Sequence, residues 1–185
     1  MLDTNTLKKF DSSLMYEAYN KWPQLARSVY ESELNAVSFE NIDHVILVGM
    51  GGSGAVCGVI SAILSKTPIH TSVVKGYHLP KTADANTLVI VVSVSGDTVE
   101  TISVLESALS NSCHIVAFSS GGKLQQICED KKLAHFIISQ VHSPRASFPA
   151  FLYSILNVLS GILPISHSDV VESLDTLESL SLIHI

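Results

Sequence analysis

Cysteine is scarce in this chain: Cys57, Cys113 and Cys128 are the only three in 185 residues. An odd count without paired spacing excludes a disulfide framework and the close Cys-Cys pairs of structural zinc. It reads as reduced thiols in a cytoplasmic protein. Charge is also sparse. Asp, Glu, Lys and Arg make up 15% of the residues and the net charge is −6. With no run of Lys or Arg, a basic face for nucleic acid is excluded. The first 20 residues, MLDTNTLKKFDSSLMYEAYN, lack the apolar core of a signal peptide. There is no internal repeat and no low-complexity tract. The 8 histidines show no metal-ligand spacing, so no metal site is expected.

One uncharged segment, Ala146 to Ser168, raises the question of a membrane. Between Pro149 and Pro164 a helix would have about 14 residues, or roughly 21 Å at ~1.5 Å per residue. A bilayer core needs about 30 Å, and Ser154, Asn157 and Ser160 interrupt the run. The reading is a buried or interface helix and no membrane span.

What the chain has in plenty is apolar residues, 46% of the total, enough for one full core and too many for a disordered chain. Leu7, Phe10, Leu14 and Ala18 fall at near-helical spacing, and a second helix is expected from Pro23 to about Leu34. Short, wholly apolar runs then alternate with helical segments. Strands are expected at Asp43–Gly49, Ile69–Val74, Thr87–Val94 and Cys113–Phe118, with a weaker one at His135–Ser139. Helices are expected at Ala55–Leu64, Asp97–Leu109 and Gly122–Glu129. Apolar strands alternating with helices predict a three-layer α-β-α sandwich around a parallel five-stranded sheet. The organisation expected is a helical segment over 1–40 packing on a domain at 41–165. Over 166–185 either a C-terminal helix or the start of a linker to a second such domain is expected. The helix from Phe151 to Leu163 is apolar nearly all round and predicts a covering surface from another domain or subunit. The apolar ending Ser-Leu-Ile-His-Ile reads as the start of a further element.

Two turns carry the chemistry. Gly49-Met-Gly51-Gly52-Ser53-Gly54 follows a buried strand and opens a helix. Glycines let the backbone approach an anion closely, and the helix start supplies free N–H groups and a positive dipole end. The spacing also fits the dinucleotide pattern G-x-G-x-x-G, but Val74-Lys75-Gly76 stands where the ribose-binding acid belongs, leaving NADP as an alternative through Lys75. Tight strand–helix packing without a ligand is a third reading. The second turn, Ser93-Val-Ser95-Gly96-Asp97-Thr98-Val-Glu100-Thr101, places three hydroxyls around one glycine at another helix start. Hydroxyls donate to phosphate oxygens without adding a countercharge, so the turn suits a phosphate monoester. Ordinary capping by Ser95 or Asp97, with Glu100 as the capping-box partner, accounts for part of the pattern. Two such turns at the carboxyl ends of parallel strands point to one crevice at a topological switch point.

Gly49-MGGSG-Gly54, Ser93-VSGDTVET-Thr101, the GGKL at Gly121–Leu124 and the later Ser143-Pro144-Arg145, in that order, resemble the sugar isomerase (SIS) domain. More narrowly, they resemble the first half of bifunctional phosphoglucose/phosphomannose isomerases, from about Asp43 to Leu163. The resemblance implies a flavodoxin-like SIS arrangement and a sugar-phosphate ligand, with no cofactor. It implies that Gly51, Gly52 and Ser53 lie against the sugar phosphate, that Ser93, Ser95, Gly96 and Thr98 hold the phosphate, and that Arg145 stabilises an enediolate. A guanidinium is a fitting partner for a developing oxyanion. The activity implied interconverts glucose 6-phosphate and fructose 6-phosphate, with mannose 6-phosphate as a further substrate. A homodimer or pairing with a second SIS domain is implied as well. Val94 stands where the family often has an aromatic residue, and Asp97 where Asn is common. The family's catalytic Glu, ring-opening His and C-terminal Lys lie in its second domain, and no segment here matches them. A non-catalytic phosphosugar-binding module and an NADP-binding oxidoreductase remain as alternatives. Lys123 and His78 are lesser candidates for the crevice.

Overall fold

The apolar runs form one sheet because each is too continuous to be half-solvated. The structure, a computed structural model, describes residues 9–183. Strands β1 (His44–Val48) and β3 (Thr87–Ser93) are buried along their whole length. They lie side by side in a five-stranded sheet of order β2-β1-β3-β4-β5, all neighbours parallel. The other strands are β2 (His70–Val74), β4 (His114–Ser119) and β5 (Ala134–Ile137). This is the doubly wound flavodoxin order, with its switch point between β1 and β3.

Alternation along each strand builds the two covering layers. Val45, Leu47, Leu88, Ile90, Val92, Val116 and Phe118 point to one face. There they form one core with α3 (Gly51–Leu64) and α6 (Phe148–Val158); α2 (Trp22–Tyr30) packs against α6, and α7 (His167–Ile183) packs against α2 and adds Val170 and Leu174 to the cluster. Ile46, Val48, Val89, Val91, Ile115 and Ala117 point to the other, under α4 (Val99–Ser110) and α5 (Gly122–Lys131). Phe118, Phe151, Ile46 and Leu47 are fully buried; each contributes roughly 1.5–3 kcal/mol of apolar transfer free energy.

Three expectations are corrected. The first concerns the amino terminus. Lys9 and Phe10 are helical, the chain then turns at Asp11–Leu14, and a separate helix, α1, spans Met15–Asn20, so the single expected helix is interrupted. Leu14 takes a left-handed φ of 54°, and Phe10 is 77% exposed. Asp11 accepts the Tyr16 amide at 2.8 Å. Asp-Ser-Ser is a helix-start signal, and it overrides an apolar periodicity drawn across it. Leu7 of that expected helix, and His184 and Ile185 of the apolar ending, lie outside the described residues.

The second concerns the next helix, α2, which ends at Tyr30, short of Leu34. Its last turn is closed by the Ser32 hydroxyl, which donates to the Val29 carbonyl at 2.7 Å.

The third concerns α6, which needs no foreign cover. Helices α2 and α3 of the same chain pack against it, and α7 reaches it where the Tyr153 and Ser173 hydroxyls meet at 3.0 Å. Tyr30 packs edge-on to Tyr153 at 6.5 Å. Asn157 donates to the Tyr30 carbonyl at 2.6 Å, and Arg27 pairs with Asp175 at 2.7 Å. The amino-terminal helices were available for this job, so an all-round apolar helix does not by itself call for a partner. No helix among the described residues is long and apolar enough to cross a membrane.

Candidate functional site

The carboxyl ends of β1 and β3 lead into the two turns, so the switch point sets them side by side. After β1, Gly51 takes φ +52°, a conformation costly for a side-chain-bearing residue, and α3 begins. A Cβ on Gly49 would come within 2.9 Å of the Ser53 carbonyl carbon, and one on Gly54 within 2.8 Å of the Gly49 oxygen. Both glycines are therefore required by the tight strand-to-helix approach, as the packing-only reading expects. Gly51 and Gly52 differ: they are exposed, and no side chain caps the helix they open. Ser53 is buried. Lys75 lies with its Cε 3.2 Å from where a Cβ of Gly54 would stand.

After β3, the Ser93 and Thr98 hydroxyls meet at 3.0 Å. Ser93 Oγ also accepts the Gly96 amide at 3.1 Å, folding the turn back on itself. Thr98 is the N-cap residue of α4, and no side chain caps that helix. The expected capping by Ser95 or Asp97 is thus corrected. Ser95 Oγ accepts the Asp97 amide at 3.2 Å. Asp97 Oδ1 accepts the amide of Lys123 at 2.9 Å, at the start of α5. Asp97 serves a neighbouring helix, which leaves the start of its own open to a ligand. Glu100 lies in the first turn of α4. Ser93 and Gly96 are buried, Thr98 half-buried and Ser95 exposed.

A third loop closes on the second turn. The Leu124 amide donates to the Gly96 carbonyl at 2.9 Å, and the Ser120 amide to the Val94 carbonyl at 2.9 Å. A Cβ on Gly96 would lie 1.8 Å from the Gly121 oxygen. It is the Lys123 backbone that joins this network; its side chain is exposed. Sequence reasoning singled out this loop for the wrong atom of Lys123. It also missed the pairing of Ser119 with His135, a contact between adjacent strands that leaves no local pattern.

Arg145 sits in the loop before α6. Ser147 is fully buried, and its hydroxyl accepts the Val141 amide at 2.9 Å. Trp22 Nε1 donates to the Ala146 carbonyl at 2.8 Å. The Pro144 carbonyl lies 3.9 Å from where a Cβ on Gly52 would be. The loop therefore abuts the first turn of α3 through a residue with no side chain. Arg145 is exposed and forms no salt bridge among the described residues. The structure thus brings Gly51, Gly52 and Ser53 beside the Arg145 loop, and Ser93, Ser95, Gly96 and Thr98 together on the adjoining strand end. His78 is exposed in the loop after β2. Among the described residues no group of three or more His, Cys, Asp or Glu could hold a metal ion.

An open parallel sheet with a glycine-rich and a hydroxyl-rich turn at its switch point defines a doubly wound α/β domain. The chain belongs to the SIS domain family, whose model matches residues 38–161. It is 34% identical over 149 residues to the bifunctional phosphoglucose/phosphomannose isomerase of Caldicellulosiruptor bescii, a match covering 78% of this chain and 43% of that one. The Aquifex aeolicus protein of the same name is 33% identical over 139 residues, covering 74% and 43%. The chain spans less than half the length of these curated relatives. Tagatose-6-phosphate ketose/aldose isomerase from Escherichia coli shares the fold. Its TM-score is 0.63 at 18% identity, over 89% of this chain and 52% of that one.

Proposed function

We propose that this chain is the phosphate-binding half of a sugar-phosphate isomerase that interconverts glucose 6-phosphate and fructose 6-phosphate, with mannose 6-phosphate as a second aldose. The observation that carries the reading is the hydroxyl pair of Ser93 and Thr98, 3.0 Å apart at a helix start that no side chain caps. Two hydroxyls and free amides suit the dianionic head of a monoester better than a dinucleotide's pyrophosphate. In this reading Ser93, Ser95, Gly96 and Thr98 hold the phosphate. Gly51, Gly52 and Ser53 line the sugar, and Arg145 faces its C1–C2 end. The names of the relatives point to the same substrates.

The chemistry proceeds by ring opening and proton transfer, without a cofactor. A base removes the C2 proton of the open aldose, and the electron pair moves into a cis-enediolate. Arg145 stabilises the developing oxygen charge, and a proton returned to C1 gives the ketose. The base comes from a second SIS domain or a second copy of the chain. Asp97, the carboxylate within the phosphate turn, is already engaged by the Lys123 amide. The setting is the cytoplasm.

The test is a coupled assay of the chain with fructose 6-phosphate beside a thermal-shift titration with the same sugar. A thermal shift without turnover supports a competent phosphate cradle separated from its base. Turnover by the chain alone overturns the assignment of the base to a second domain; specific activity that rises with protein concentration then assigns it to a second copy, and activity independent of concentration overturns that as well. Absence of both overturns the ligand assignment. A shift with NADPH that fructose 6-phosphate does not compete away would favour the oxidoreductase alternative.

A further inference from the structure

Ser119 is fully buried at the end of β4, and three groups converge on its hydroxyl. Its Oγ lies 2.8 Å from the Gly121 carbonyl oxygen, 3.1 Å from the Gly121 amide and 2.9 Å from His135 Nε2 on β5. A hydroxyl carries one proton and accepts two hydrogen bonds. The Gly121 carbonyl can only accept, so Ser119 donates there. The Gly121 amide can only donate, so Ser119 accepts from it. The third contact is then satisfied in one way: His135 Nε2 carries a hydrogen and donates to Ser119. Any other arrangement leaves the Gly121 carbonyl without its donor or sets two lone pairs against each other.

Ser119 thus grips Gly121 at both its amide and its carbonyl. Gly121 has φ +139°, outside the range that side-chain-bearing residues readily adopt. Its carbonyl oxygen lies where a Cβ of Gly96 would have to be. Two residues on, the Lys123 amide reaches Asp97. A continuous chain of contacts therefore runs from the β5 edge to the turn that carries Ser93 and Thr98. Burial holds the His135 pKa below its ordinary value, with Glu129 on α5 pulling the other way. From β4 the neighbours of His135 are the neutral Ser119 and its strand partner Ala117.

We propose that His135, as the Nε2–H tautomer, is a positioning residue that locks the Gly121–Lys123 loop against the Ser93–Thr98 turn and so sets the geometry of the anion cradle. The inference rests on the reading of that turn as the phosphate site, but its first test does not. The neutral Nε2–H form and the imidazolium both donate to Ser119, so the lock survives protonation. An aliphatic replacement breaks it. A side-chain amide that can present an N–H near the same point restores it.

Nitrogen NMR of the chain without ligand reads the tautomer directly, and the Nε2–H signature is expected at neutral pH. A predominant Nδ1–H signature would overturn the proposal. In His135→Leu, amide exchange at Gly121 and Lys123 should quicken by about tenfold, the scale of one lost hydrogen bond, while exchange in β1 stays unchanged. His135→Gln should restore protection to within about threefold. Equal exchange in both variants and the parent would also sink the idea. Titration with fructose 6-phosphate completes the test: affinity should fall in His135→Leu and recover in His135→Gln. If the parent chain itself fails to bind the sugar, the phosphate reading falls. The tautomer and exchange results then still decide whether His135 locks the loop.

Discussion

The hydroxyl oxygens of Ser93 and Thr98 lie 3.0 Å apart across a turn whose central glycine donates its amide back to Ser93. One of the two hydroxyls donates to the other, and Ser93 also accepts from Gly96, so the pair is organised before any ligand arrives. A monoester dianion entering here would find both groups and the open start of α4 already in place. Ser93→Ala removes a hydroxyl of the proposed phosphate site and the acceptor that holds Gly96. It is expected to weaken fructose 6-phosphate binding by about tenfold or more, and Thr98→Val by about three- to tenfold. Isothermal titration of each variant against the parent checks this. Unchanged affinity in both would remove the phosphate from this turn.

Gly96 and Gly58 make opposite predictions from the same substitution. At Gly96, φ is +77° and a new Cβ would strike the Gly121 oxygen at 1.8 Å. Gly96→Ala should destabilise the fold by more than about 2 kcal/mol, from left-handed strain together with the displaced loop. At Gly58, exposed on α3, nothing lies within 4 Å of a new Cβ. Gly58→Ala should stabilise by about 0.5–1 kcal/mol through helix propensity. Urea denaturation of the two variants gives both signs in one experiment.

Acid sensitivity should appear near the histidine range. His44 is 5% exposed, meets Ser72 Oγ at 3.1 Å, and its ring lies 4.7 Å from that of His70, tilted by 48°. Burial, with His70 second, holds its pKa below 6.5, and burial does the same for His135. Below that value the unfolded chain binds more protons than the folded one, so unfolding becomes easier as the pH drops. Stability from these residues is fully present above about 6.5 and is lost as pH falls through their folded values. Midpoints of urea unfolding between pH 7.5 and pH 5 should decline, and His44→Gln should flatten the decline. A flat profile in the parent chain would contradict this.

The thiols should react in a fixed order. Burial pushes the Cys57 pKa up to about 12 and that of Cys128 up to about 11. Cys113 is raised too, but it is half-buried while the others are buried. The thiolate is the reactive form. One equivalent of an aromatic disulfide reagent should therefore be consumed in the native state, at Cys113, and the remainder only on denaturation. Mass spectrometry of the labelled peptide identifies the site.

The sheet was legible because His44–Val48 and Thr87–Ser93 are too apolar to face water on either side. The two turns were legible because glycines and hydroxyls cluster at strand ends. Their relation in space follows from the strand order, which puts β1 beside β3. The break at Asp11–Leu14 was a local signal that periodicity passed over, whereas the other misreadings share a tertiary cause. Whether Asp97 caps α4 or the start of α5 depends on a loop 26 residues away, and no local spacing encodes that. The cover of α6 by the amino-terminal helices and the contact of Ser119 with His135 are likewise tertiary. Periodicity describes what one segment wants to bury, and leaves open which segment answers it.

Trp22 is the sole tryptophan of the chain, and its indole N–H donates to the Ala146 carbonyl, one residue after Arg145. The protein thereby carries an intrinsic fluorophore wired to the loop that holds Arg145. Any rearrangement of Pro144–Arg145 that breaks this bond alters the hydration of the ring and shifts its emission. The movement of that loop on ligand entry, or on docking of another domain, can be followed optically in unlabelled protein.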